Sequence, residues 1–259
     1  MRMMKKVLGT VTVLALSVSL LAGCGSTAVS PVSSTASTAA ESTTSSVVSE
    51  TTSAAADENA AAAAQLLNDL TGSYQELWPV ILADEYQQTW LDDCTALVGE
   101  ENAEAAFEKL SSMVTGDVYG EDAVEAYANG GGAYFCGFTN SLATLTFDGE
   151  TSTISGTDKD GNVLFSHTYH YIGMEPVRGL YEFQSDDADS GEFTYFFLAP
   201  DTSAETYDIE FRYGSDAEAL SQYDTGEYAY WLASGISTDC DQTMIDNGIE
   251  LFCTENLAG

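Results

Sequence analysis

The sequence predicts a mainly β domain with flanking helices: a helical preface, a small antiparallel barrel or sandwich, and helices packed after it. Three observations lead there. Apolar residues recur at helical spacing up to about Leu110, the hydrophobic period changes to two from about Ala133, and helical spacing returns after Gly214. A period of two sends alternate side chains to opposite faces of a strand, so the middle of the chain suits a sheet with one buried side.

The elements follow in order. Leu66, Leu67 and Leu70, then Tyr74, Leu77, Trp78 and Ile81, hold helical positions, with Pro79 placed to kink or end a segment. Ala103 to Met113 continues the pattern with Ala106, Phe107 and Leu110 on one face, and Gly116 closes it. Strands are expected around Tyr134 to Phe138, Ala143 to Phe147, Thr151 to Thr157, Val163 to Tyr171, Gly179 to Gln184, Phe193 to Leu198 and Tyr207 to Tyr213. Asp148-Gly149, Asp160-Gly161, Gly173, Ser185 to Gly191 and Ala199-Pro200 supply the turns between them. Ser215 or Asp216 then caps a helix over Ala217 to Tyr223, and Met244, Ile245, Ile249, Leu251 and Phe252 mark a last helix over Asp239 to Glu255.

Ahead of this domain stands a different kind of sequence. Arg2, Lys5 and Lys6 precede an apolar run from Val7 to Leu21, followed by Leu21-Ala22-Gly23-Cys24. A basic start, a short apolar run and small residues before a cysteine form the processing site of a bacterial lipoprotein, and the run is shorter than the ~20 residues of a membrane-spanning helix. The expectation is a signal peptide over 1–23 and a lipidated Cys24 that holds the mature chain on the outer face of the cell membrane. Residues 24–60, rich in Ser, Thr and Ala and without an aromatic, read as a tether, since they offer too little apolar surface to offset the entropy of ordering. The domain then occupies 61–259.

Charge narrows the partners. The chain has 41 Asp and Glu against 7 Lys and Arg, a net charge of -34. Removal of 1–23 would leave Lys109, Lys159, Arg178 and Arg212 as the fixed cations. Such a surface repels nucleic acid and concentrates cations, although solubility in an acidic or saline habitat accounts for it equally well. Cys94, Cys136, Cys240 and Cys253 form an even set that favours disulfides outside the membrane. Three pairings are open, of which Cys94 with Cys136 and Cys240 with Cys253 is the one expected. No Gly-x-Ser-x-Gly, His-Glu-x-x-His or phosphate-cradling loop is present, so the expectation is a binding protein rather than an enzyme.

Gly72-Ser73-Tyr74-Gln75-Glu76-Leu77-Trp78-Pro79, Val177-Arg178-Gly179-Leu180-Tyr181-Glu182-Phe183, Phe196-Phe197-Leu198-Ala199-Pro200 and Tyr213-Gly214-Ser215-Asp216 together resemble the ZinT (YodA) family. The likeness runs from about Leu70 to Leu257 and implies a calycin, or lipocalin-like, barrel that binds zinc and works beside an ABC-type importer. In that family three histidines hold the metal: one just upstream of the Ala-Pro turn, and two in a His-x-His facing the barrel mouth. Here the first position falls at about Phe196 and the pair at Asp208 and Glu210.

The departure changes the chemistry. Two carboxylates at i and i+2 share one strand face with Arg212, and as an oxygen-rich corner they suit manganese or calcium better than zinc. An ion pair with Arg212 is the competing reading. His167 and His170 are the only histidines, and their spacing puts them on opposite strand faces, so His170 is the one candidate imidazole ligand. Asp158 to Asn162 reads as a hairpin turn rather than half a calcium loop, and Asp186 to Glu192 as an exposed acidic loop. The many aromatics of the strand region leave a second function open, a barrel that takes up a small organic ligand, and a third is an acidic surface module for another protein.

Overall fold

The computed structural model describes residues 58–200 and 208–258. The expected signal peptide, Cys24 and nearly all of the expected tether lie outside the described residues. A first helix, α1 (58–69), leads into β1 (Gly72–Glu76), α2 (Leu77–Ile81), a 3-10 turn (Asp84–Tyr86), α3 (Gln87–Val98), α4 (Glu100–Val114) and α5 (Glu121–Ala128). The strands β2 (Thr144–Asp148), β3 (Thr153–Thr157), β4 (Val163–Met174), β5 (Tyr181–Ser185), β6 (Tyr195–Leu198) and β7 (Asp208–Gly214) follow, then α6 (Ala217–Leu220), β8 (Ala233–Ser237) and α7 (Gln242–Leu257).

Each strand pairs antiparallel with the next, and β1 pairs with β8, so eight strands close into a barrel. This up-and-down order is the lipocalin-like architecture. One alternating face of all eight strands points inward. The register joins Tyr74, Phe147, Ile154, Phe165, Phe183, Phe196, Phe211 and Ala233 into a single buried cluster. Phe196 stands 5.3 Å from Tyr213 and 5.8 Å from Phe165, ring to ring, so aromatic side chains fill the interior.

A second core lies on the other side of the wall. Ile236 of β8 packs there with Leu77, Trp78 and Ile81 of α2, Trp90 and Cys94 of α3, Leu110 of α4 and Ile249 and Cys253 of α7. Trp90 Nε1 donates to the Ile81 carbonyl at 2.7 Å, which joins α3 to the end of α2.

Local chemistry explains the turns. The Asn162 side-chain amide donates to Asp158 Oδ2, the backbone N–H groups of Asn162 and Asp160 donate to its Oδ1, and these bonds pull its pKa down. The segment is the expected hairpin turn. At the β2–β3 turn a Cβ on Gly149 would stand 2.4 Å from Asn68 Cα, so only glycine lets α1 lie this close to the barrel end. Asp216, not Ser215, caps α6 through Oδ1 to the N–H groups of Glu218 and Ala219.

Three expectations are corrected. The helical preface is interrupted by β1, a strand in which Tyr74 is the single buried residue; its apolar neighbours at helical spacing belong to the separate elements α1 and α2. Tyr134 to Phe138 forms isolated bridges through Phe135, to Thr115 and Trp231, rather than a barrel strand. The sealing strand β8 was not expected at all. Its sequence, Ala-Ser-Gly-Ile-Ser, is buried on both faces and shows no alternation to read.

Candidate metal centre

The positions that the resemblance assigns to metal do not share a side of the sheet. Phe196 pairs with Tyr213 and Leu198 with Phe211, so these residues face the interior together. Asp208, Glu210 and Arg212 occupy the alternate positions of β7 and project from its other side, where Asp208 lies opposite Ile236 and Glu210 opposite Ser234. The carboxylate pair therefore shares one face with Arg212, as the spacing predicts, but that face is the flank of the barrel and not its mouth. Period two fixes this: any register that places Phe196 inside with Tyr213 places 208 and 210 outside.

Arg212 is fully buried and tied to backbone. Its Nη1 and Nη2 groups donate to the carbonyls of Leu220, Gln222 and Tyr228, and its guanidinium carbon sits 4.3 Å from the centre of the Tyr223 ring. Burial lowers its pKa. Arg178 approaches the same ring at 4.5 Å, and the Glu175 carboxylate, also fully buried, accepts from the N–H groups of Val177 and Arg178. Two of the chain's few cations thus serve to fold the segment after β7 against the wall. Gly214 completes that contact, since a Cβ there would stand 2.6 Å from Tyr228 Oη.

The two histidines diverge as their spacing predicts. His167 lies on the inward side of β4, stacked 5.9 Å from Phe165, and its Nδ1 meets Asp187 Oδ2 at 2.7 Å. His170 points outward from the same strand and meets Asp186 Oδ1 at 2.6 Å. The acidic loop after β5 thus gives one aspartate to each histidine. His170 and Asp186 lie in the β4–β5 region, whereas Asp208 and Glu210 lie on β7, and the structure does not bring these sets together. Among the described residues no group of three or more His, Cys, Asp or Glu is assembled to hold a metal ion. The family's zinc site is not reproduced by these residues.

Cys136 is a neighbour that sequence reasoning assigned only to disulfide bonding. Its thiol is pushed up to about 12, first by burial and then by the charge of Glu210. Its carbonyl accepts from Ser234 N–H, the residue opposite Glu210. Nothing in the spacing of Cys136 signals this approach, which depends on the 135–137 segment crossing beside β8. The same segment, with Glu76, Trp78, Leu82 and Val114, lines a cavity of about 320 Å³ outside the barrel.

No family model matches the sequence, and no curated protein matches it. Among solved structures, the chain is similar to the Zn(II)-bound ZinT-like domain of Streptococcus pneumoniae AdcA, at 15% identity over 71% of this chain and 89% of that one, with a TM-score of 0.45. It is also similar to Zn(II)-bound AdcA from the same organism, at 14% identity over 71% of this chain, with a TM-score of 0.43. The likeness spans 35% of the length of that second chain.

Proposed function

We propose that this is an extracytoplasmic, lipid-anchored protein that binds a divalent metal ion as cargo and buffers or delivers it for an ABC-type importer. The observation that carries the reading is the pair Asp208 and Glu210 on one side of β7, with the Cys136 thiol close enough to feel the charge of Glu210. Two carboxylates from a strand form an oxygen-rich edge that attracts any divalent cation, and a nearby thiol adds the soft donor that zinc favours. The high acid content raises the local concentration of cations around that edge. Cys24 supports the extracytoplasmic placement, and the resemblance of the sequence makes zinc the first ion to test.

Titration calorimetry of the metal-stripped protein with zinc, then with manganese and calcium in physiological salt, tests the reading. Saturable one-site uptake that is lost in Asp208→Asn/Glu210→Gln is the expected result. Unchanged affinity in that double variant would remove the site assignment. Weak, salt-sensitive uptake of all three ions alike would replace the metal function with that of an acidic surface module, a reading that Phe196 at one of the three family positions favours. Uptake of an organic ligand into the barrel has less support, because aromatic rings occupy the interior.

A further inference from the structure

Four cysteines lie in or against the core that packs outside the barrel, and two of them touch. Cys94 of α3 and Cys253 of α7 are both fully buried, and their sulfurs stand 3.9 Å apart. The contact joins residues 159 apart in sequence. Cys136, the partner expected from sequence for Cys94, instead places its sulfur 3.9 Å from the Tyr134 carbonyl, and Cys240 is only partly buried. The geometry corrects the expected pairing.

We propose that Cys94 and Cys253 are a disulfide-forming pair, and that their bond fixes the C-terminal helix α7 to α3. A disulfide needs its sulfurs at ~2.05 Å, so the two must approach by about 1.9 Å, a change within reach of side-chain rotation in two helices already packed together. The bond forms by thiol–disulfide exchange with an external disulfide. One cysteine, as thiolate, attacks that disulfide and releases one of its thiols. The second cysteine, losing its proton, then displaces the other thiol from the mixed disulfide. Two protons and two electrons leave the pair, and the external disulfide is reduced to two thiols.

Burial sets the timing. Both thiols are pushed up by desolvation, and Cys94 pushes Cys253 up further, while the hydrogen bond to Cys253 offsets part of the rise at Cys94. Exchange therefore belongs to the folding chain, before α7 closes over α3, and the finished bond is sealed from reductant. Neither step depends on the metal reading, and both need a compartment oxidising enough to supply the external disulfide.

The test is to refold the full chain from denaturant in a buffer of oxidised and reduced glutathione, alkylate without reduction, digest and map the peptides. A Cys94–Cys253 linked peptide as the main product is the expected outcome. Full alkylation of both residues, or linkage of either to Cys136 or Cys240, would overturn the proposal. A second measurement needs no peptide map. Reductant present during unfolding should lower the Tm of the refolded protein by roughly 5–10 °C and leave Cys94→Ala/Cys253→Ala unmoved. A Tm that responds to reductant equally in both proteins would also overturn it. The already folded, reduced protein should oxidise about tenfold more slowly, or slower still, than the refolding chain; equal rates would refute the assigned timing.

Discussion

The two sides of β7 solve different problems with the same seven residues. Inward, Ile209, Phe211 and Tyr213 are almost wholly buried in the aromatic interior, and Tyr213 Oη donates to the Thr139 carbonyl at 2.9 Å while Thr139 N–H donates to it at 2.6 Å. On the opposite side, Asp208 is half-buried and Glu210 exposed, and Arg212 sinks among carbonyls. The comparison teaches that a carboxylate pair on a barrel strand is positioned by its neighbours' packing. Phe211 and Tyr213 claim the interior, and period two leaves 208 and 210 no choice but the flank.

Breaking the inward side should cost most. Phe211→Ala removes a ring packed against Phe138 and Phe196, and is expected to destabilise by about 4 kcal/mol in urea unfolding. Arg212→Met should follow at about 3 kcal/mol, because the apolar stem is replaced but the Leu220, Gln222 and Tyr228 carbonyls lose their donor. A loss as large as that of Phe211→Ala would mean that the cation organises the whole 220–228 segment. Tyr213→Phe keeps the ring and strands the Thr139 N–H, for an expected cost of about 1–2 kcal/mol.

Smaller effects sharpen the outward side. Asp208→Asn/Glu210→Gln, without metal, leaves Arg212 its carbonyl partners and is expected to cost less than Arg212→Met in the same urea unfolding. A loss of 2 kcal/mol or more, on the order of a broken buried ion pair, would restore the ion-pair reading.

Asp93 on α3 offers a pH test of the second core. Its carboxyl pKa is raised, first by burial and then by Glu250, Asp246 and Asp92, and its Oδ2 has no hydrogen-bond partner. A folded value above the unfolded one means that this carboxyl contributes stability below its ordinary pKa of 3.8 and loses that contribution as pH rises through the raised folded value. Asp93→Asn should therefore raise the Tm near neutral pH by a small amount, worth less than about 1 kcal/mol after solvent screening, and do so less at about pH 3. An equal gain at both pH values would exclude the carboxylate as its source.

Much of the barrel was legible because it is written locally. Asp148-Gly149 and Asp160-Gly161 mark their hairpins, and β2 to β7 carry enough alternation or turn chemistry to be placed within a few residues. What could not be read depends on distant partners. β8 lacks a surface pattern because it is covered on both sides, β1 offers one buried residue among four half-buried ones, and the meeting of Cys94 with Cys253 exists only once α3 and α7 pack. The carboxylate pair at 208 and 210 was legible as a pair. Its side of the wall was not, since the spacing of a strand says which residues share a face and nothing about which face is inside.

The pairing of β1 with β8 has a consequence for how the chain is made. Tyr74 lies opposite Ser237, so the seal of the barrel waits until β8 has emerged. Until then β1 and β7 both present open edges, and the closing β1–β8 contact is one of high sequence separation, the slow kind to form. A nascent chain of this design stays unclosed from the synthesis of β1 to that of β8, and loss of β8 and α7 alone leaves two sticky edges instead of a smaller barrel.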